Sequence, residues 1–326
     1  MHSKFFDKYI NMISRRLIRL KVMQIHYGFL QSDDISELSK LENDLNYSIE
    51  QSYNLFLSLH CLLIELFELE REKIEIRKNK LIPSREDLNP NTKLIDNEII
   101  KKFKEHPLIQ KACKNFDLNW IEHYRLINNI HETLIKSEHY YKFMNNGKLG
   151  IDQDYDIISF ILEKIILKNK LLEEILEDRN IFWNDDIEFW VSNILQYLKK
   201  YKKNPQSFEI PGVWKDEEDK TFAFRLLKFS VLNRQKFDAI IVDALQKWEL
   251  DRLALVDRSL LHLAICEYTE MSEVPVKVTI NEYIEISKYY STEKSSVFIN
   301  GILDKIHLML KEKGLLLKVG RGLADC

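Results

Sequence analysis

Eight glycines and six prolines are spread over 326 residues, too few to supply the turns that a sheet-rich fold needs at every hairpin and crossover. Leu, Ile, Glu and Lys dominate instead, and these residues favour or tolerate helix. An all-α chain is therefore expected. Its length suits about two modules, each able to bury a core of its own.

The few breakers then mark where helices end. Apolar spacing predicts an amphipathic first helix over 13–30 and a long helical pattern over 36–81, stopped by IPSREDLNPNTK, where Pro83 and Pro90 forbid continuation. Further helices are expected at 95–104, 107–115, 119–145, 155–179 and 185–202, with Asn, Asp or Gly at most junctions as caps. The stretch from Lys202 to Asp219 holds two prolines and a glycine and reads as a linker. Helical patterning resumes at 222–233, 237–248, 257–271, 278–289 and 295–313.

Composition excludes several functions. The net charge of −3 from 48 basic and 51 acidic residues gives no whole-chain argument for binding nucleic acid or an anionic membrane. The most apolar stretch, 55–69, is interrupted by His60, Glu65 and Glu68 and is too short for a membrane span, so it reads as a buried helix. No secretory signal opens the sequence, and Met12 offers an alternative start. Cys61, Cys113, Cys266 and Cys326 lie far apart without a CxxC pair, which favours free thiols and a cytoplasmic protein. No Walker or Rossmann glycine loop occurs; Gly147-Lys148-Leu149-Gly150 reads as a turn between helices. His131, His139, His262 and Cys266 form no metal-ligand set, and the acidic pairs Glu173-Glu174 and Asp185-Asp186 are what helical surfaces in a highly charged chain produce. Neither a cofactor nor catalysis is expected.

Three segments in the last third carry specific information: WELDRLALVDRSLLHLAICEY, EVPVKVTINEYIEISKYYS and EKSSVFINGILDKI. Pro275 suits a helix start, where its missing donor costs nothing. Gly301 weakens an otherwise good helix by about 1 kcal/mol, which predicts a crossing helix close to its backbone. Asn281 and Asn300 stand among apolar neighbours and are expected to be buried and hydrogen-bonded. Taken in order, Glu267-Tyr268, the run from Ile280 to Glu285 behind Pro275, and the run from Phe298 to Lys305 resemble the NusB transcription antitermination family. The opening helix SRRLIRLKVMQIHYGFLQ resembles that family's arginine-rich first helix, with His26-Tyr27 where a Leu-Tyr-like pair stands in the family pattern.

Residues 1–30 are locally basic, with Lys4, Lys8, Arg15, Arg16, Arg19 and Lys21 against the single acid Asp7. On a helical wheel Arg15, Arg19 and His26 fall within about 40° of one another, off the apolar arc, so an outward basic stripe is expected. Guanidinium groups pair with phosphates, and an aromatic such as Tyr27 offers a platform for a splayed base. The resemblance implies that single-stranded boxA-like RNA is held by Arg15, Arg16, Arg19 and Tyr27 together with Lys294, Ser295, Ser296 and Phe298 at the start of the last helix. Phe298 reads equally well as a core residue. Lys294 replaces an acid found in some family members and would strengthen phosphate binding.

The resemblance further implies a partner, the ribosomal protein NusE, within a transcription elongation complex. Asp251 and Asp257 are the matching partner-facing acids, although Arg252 and Arg258 beside them weaken the charge argument. The layout so implied is a NusB-like helical bundle from residues 12–34 and 217–313, a large inserted helical module at 35–203, a linker at 204–216 and a tail at 314–326. The alternative is a helical scaffold for protein–protein interaction with reduced RNA binding or none.

Overall fold

A computed structural model describes residues 14–32, 38–115, 120–183, 185–206, 208–246, 250–292 and 294–323. Lys4, Lys8, Met12 and Trp248 lie outside them. The described residues form helices and turns with no strand among them, the all-helical fold that the scarce glycine and proline predict. In chain order the α-helices are α1 (Arg15–Ser32), α2 (Leu38–Lys78), α3 (Arg85–Leu88), α4 (Glu98–Glu105), α5 (Pro107–Asn115), α6 (Tyr124–Ile135), α7 (Glu138–Asn145) and α8 (Ile151–Phe160). They continue with α9 (Lys170–Arg179), α10 (Ile187–Lys203), α11 (Glu217–Leu232), α12 (Arg234–Leu245), α13 (Leu255–Glu270), α14 (Val276–Tyr290) and α15 (Ser295–Glu312). Two expected helices are each divided. Ser137 accepts a hydrogen bond from Tyr140 N and restarts the chain as α7, and Asn169 does the same for α9 through Leu172 N after a π turn at Ile161–Ile165.

The described residues form two compact units, one lying within 50–213, the other within 14–49 and 214–323. The first is built on residues 50–78 of α2. Its 18-residue apolar window meets the length and hydropathy of a membrane span, but 78% of that window is buried inside the molecule, as in a core helix. Tyr53, Phe56, His60, Phe103, Trp190 and Tyr197 form an aromatic core around it. His60 Nδ1 meets the Phe56 carbonyl at 2.7 Å and Nε2 meets the Tyr197 hydroxyl at 2.5 Å. Burial lowers the His60 pKa to about 4. On the next turns of α2, Glu70 receives His131 Nε2 at 2.6 Å and Arg77 Nη2 at 3.1 Å, while Lys73 bonds His131 Nδ1 and Asn128. His131 is thus a packed, hydrogen-bonded residue.

Cys61 of α2 and Cys113 of α5 are joined by a disulfide, with Cα atoms 5.6 Å apart. This corrects the expectation of free thiols at these positions, because spacing along the sequence does not show that α5 folds back onto α2. Cys266 is free and buried.

In the second unit α13 is the axis. Its residues 259–268 are buried on every side, as an all-round apolar helix requires, and α1, α11, α12, α14 and α15 each pack against it. Ile18, Val22, Leu226, Phe237, Leu261, Ile265, Tyr283, Ile299 and Leu303 are at or below 1% exposure and fill the layer between. Two expectations fail here. Asn281, Asn300 and Gly301 are exposed, and no atom outside the helix lies within 4 Å of a Cβ built on Gly301. The apolar neighbours in sequence belong to the opposite faces of α14 and α15.

Candidate nucleic-acid interface

Helix α1 presents its arginines in succession to acids from three other helices. Arg15 Nε donates to Asp219 Oδ1 at 2.7 Å and its Nη2 lies 3.5 Å from Glu218, both at the start of α11. Arg16 pairs with Glu282 of α14 through two bonds, 2.7 and 2.8 Å. Arg19 pairs with Glu267 of α13, also through two bonds, 2.6 and 2.9 Å. Paired, near-parallel donors of this kind are the strongest geometry a guanidinium offers a carboxylate.

Burial separates the three. The Arg15 and Arg16 side chains are 34% and 24% exposed, whereas Arg19 is 2% exposed. Burial works against the charge of Arg19, yet Glu267 outweighs it and raises the pKa above the ordinary arginine value. Arg16 shows the same balance with Glu282. Glu267 also accepts from Thr279 Oγ1 at 2.9 Å and Tyr283 Oη at 2.8 Å, and burial together with Glu267 pushes the Tyr283 hydroxyl up, so it remains a donor.

This overturns the outward basic stripe. Arg19 and His26 are buried because the α1 face that carries them packs on α13, and Lys21, on the other side of the helix, is buried too. His26 Nδ1 meets Ser259 Oγ at 2.9 Å, and its ring stands edge-on to His262, 5.4 Å between centroids. His262 in turn meets Asp238, which Arg258 holds through two bonds. The Arg15 and Arg19 guanidinium groups flank the Phe222 ring at 5.1 and 5.2 Å.

The pairs Arg19–Glu267 and His26–Ser259 show that α1 runs antiparallel to α13. Arg15 and Arg16 therefore sit at the C-terminal end of α13. The start of α15 sits at the other end, where Ser295 Oγ donates to Asp257 Oδ2 at 2.9 Å. Ten residues of helix separate Asp257 from Glu267, about 15 Å along the axis, so the two parts of the expected RNA site are not adjacent. Half-buried Tyr27, one residue beyond His26, belongs to the end that holds Ser295. Lys294 is exposed, Ser295 is buried, and Ser296 and Phe298 are half-buried. Asp257 is 5% exposed and occupied by Ser295, which removes it from the partner-facing surface expected of it, while Asp251 is exposed in a short 3-10 turn.

Sequence reasoning did not identify Asp219, Glu267 and Glu282 as the partners that hold the arginines. Two of them stand inside the quoted motifs, Glu267 in Glu267-Tyr268 and Glu282 in the run Ile280 to Glu285, so a complementary acid for Arg19 and one for Arg16 were there to be sought.

The model of the NusB family matches residues 192–308. A transcription antitermination protein NusB from Chloroherpeton thalassium is 46% identical over 110 residues, which is 34% of this chain and 52% of that protein. A Salinibacter ruber protein of the same name is 43% identical over 108 residues, 33% of this chain and 68% of its own length. One from Listeria welshimeri is 42% identical over 114 residues, covering 34% and 88%. The chain thus spans about half the length of the Chloroherpeton relative and most of the Listeria one. A solved structure of T. maritima NusB aligns with 49% of this chain and 92% of its own at 29% identity and a TM-score of 0.28. On the strength of the sequence relatives, this chain belongs to the NusB family.

Proposed function

We propose that the protein is a transcription antitermination factor that binds single-stranded, boxA-like RNA together with the ribosomal protein NusE, without turnover, in the cytoplasm. The observation that carries the reading is the pair Arg15 and Arg16, partly exposed at one end of α1 and each oriented by a carboxylate. A partly exposed guanidinium fixed on one edge by an acid is held in one orientation at the surface, where its charge can meet a phosphate oxygen. Lys294 supplies charge at the far end of α13, and Tyr27 a stacking surface, so a strand of several nucleotides would span both. Arg19 then acts by positioning α1, and Asp251 remains the acid open to a basic partner.

Residues 12–34 and 217–313 form the RNA-binding bundle in this reading, and 35–203 the added module. The second compact unit supports that layout in part, since it joins α1 to the helices from α11 to α15 but also takes residues 38–49 of α2, which the layout gives to the added module. A scaffold role for the added module is favoured by Leu81 and Ile82, 99% and 86% exposed beyond the end of α2. Fluorescence anisotropy with a boxA-like RNA tests the main reading. Arg15→Ala/Arg16→Ala should weaken binding at least tenfold and flatten its salt dependence. Unchanged affinity in a folded double variant would leave the scaffold reading in possession.

A further inference from the structure

Beyond α15 the chain folds back as a strap. Gly314, at φ +65°, ends the helix, and Leu315 N donates to Leu310 O at 2.9 Å. The strap then reaches the C-terminal end of α13, where the last carbonyls of a helix lack partners of their own. Lys318, 7% exposed, supplies them: its Nζ donates to Glu267 O at 2.7 Å and Met271 O at 2.9 Å. Val319 N donates to Ser272 O at 3.0 Å. Gly322 is buried so close to Ser272 that a Cβ would stand 2.0 Å from its carbonyl oxygen. A buried ammonium, a backbone bond and a glycine-only contact together define one docked position.

That position is at the arginine end of the unit. The strap covers Ser272 and Glu273, and Glu273 lines an open cleft with Arg15, Thr221, Phe222 and Arg225. The cations already there are engaged: Arg15 by Asp219 and Glu218, Arg16 by Glu282, Arg225 by the Glu270 carbonyl and, at 3.9 Å, Glu273. Arg321 differs. It is exposed, and among the described residues no acid pairs with it.

We propose that Arg321 is a further RNA-phosphate ligand, presented at the same end of α13 as Arg15 and Arg16 by a strap that Lys318 and Gly322 lock in place. The inference rests on the RNA reading above. A guanidinium without a carboxylate partner gives a phosphate its full charge and releases a counterion on binding, whereas Arg15 and Arg16 bring their acids with them. The contact is to backbone, so it adds affinity without reading sequence. Lys318 and Gly322 are positioning residues in this account.

The test uses the full chain, a short boxA-like RNA and a scrambled RNA of equal length, titrated at several salt concentrations. Arg321→Ala should weaken both complexes by the same factor, about three- to tenfold, and reduce the slope of log affinity against log salt by about 0.7. Arg321→Lys should restore most of the slope. Gly322→Val, which lifts the strap with Arg321 intact, should reproduce the loss. If Arg16→Ala weakens binding while Arg321→Ala keeps wild-type affinity and slope, this inference is wrong and the RNA reading stands. If the wild-type chain binds neither RNA, both fall.

Discussion

Arg19 and Glu267, 248 residues apart in sequence, meet as a doubly hydrogen-bonded ion pair with side-chain exposures of 2% and 0%. Thr279 and Tyr283 complete the shell of Glu267, so α1, α13 and α14 share one buried charge centre. Removing one member of such a pair leaves the other charge buried and uncompensated, which costs about 3–5 kcal/mol. Arg19→Ala should lower the unfolding free energy of the second unit, read from its urea melt, by that amount, and Arg19→Lys should recover only part, since an ammonium cannot reproduce the fork. Arg16→Ala, at a partly exposed pair, should cost far less. Equal losses for Arg16→Ala and Arg19→Ala would contradict the burial seen here.

Acid should destabilise the protein before its carboxylates titrate. His26, His60 and His262 are buried, and burial lowers all three pKa values, with the neighbouring His262 adding to the effect at His26 and Asp238 opposing it at His262. A histidine with a depressed folded pKa binds its proton more readily unfolded. The stability is therefore complete above the unfolded pKa near 6.5 and is lost as pH falls through that value toward the folded one. For His60, with a folded value of about 4, the loss between pH 6.5 and 4 is about 3 kcal/mol. Urea unfolding of the first unit, followed by Trp190 fluorescence against Phe56 and Tyr53, should show it, and His60→Phe should flatten the profile.

Two glycines should respond in opposite directions. Around Gly301 there is open space, so Gly301→Ala only restores helix propensity and should raise stability by about 1 kcal/mol. Gly322→Ala drives a Cβ to 2.0 Å from the Ser272 carbonyl oxygen, which neither backbone can absorb without moving. Thermal melts of the two variants should shift up by a few degrees and down, respectively. A destabilised Gly301→Ala would revive the crossing helix that the glycine predicted on sequence grounds.

The contrast shows where the sequence is informative. Scarce glycine and proline sufficed for an all-helical chain, and most helix ends lay within a few residues of those expected, because breakers and caps act locally. Ser137 and Asn169 broke two expected helices since a cap inside an apolar pattern looks like a tolerated polar residue until its side chain is seen on the following N–H groups. A helical wheel placed Arg15, Arg19 and His26 on one face correctly but could not say that this face turns inward; the deciding acids, Asp219 and Glu267, lie more than 200 residues away. The family motifs were legible as a set, while the burial of Asp257 and the exposure of Asn281 and Asn300 were not, since neighbours in sequence are not neighbours across a helix. No pattern announced the strap: one lysine and one glycine acquire meaning only against the carbonyls of Glu267, Met271 and Ser272.

The Cys61–Cys113 bond closes a loop of 52 residues in the first unit, and loop closure of that length restricts the unfolded chain by up to about 4 kcal/mol. Reduction with dithiothreitol should therefore lower the urea midpoint of the first unit and leave that of the second unchanged. The cysteines also differ in reach. Cys113 is exposed and Cys61 buried, while Cys266 is enclosed in the second unit with its thiol pushed up by burial, which suppresses the reactive thiolate. Iodoacetamide added to the reduced, folded protein should label Cys113 first, Cys61 more slowly as α5 opens, and Cys266 only on unfolding. Peptide mass spectrometry distinguishes the three. Rapid labelling of both Cys61 and Cys113 without reductant would mean that the bond does not form in solution, and the midpoint should then be indifferent to dithiothreitol.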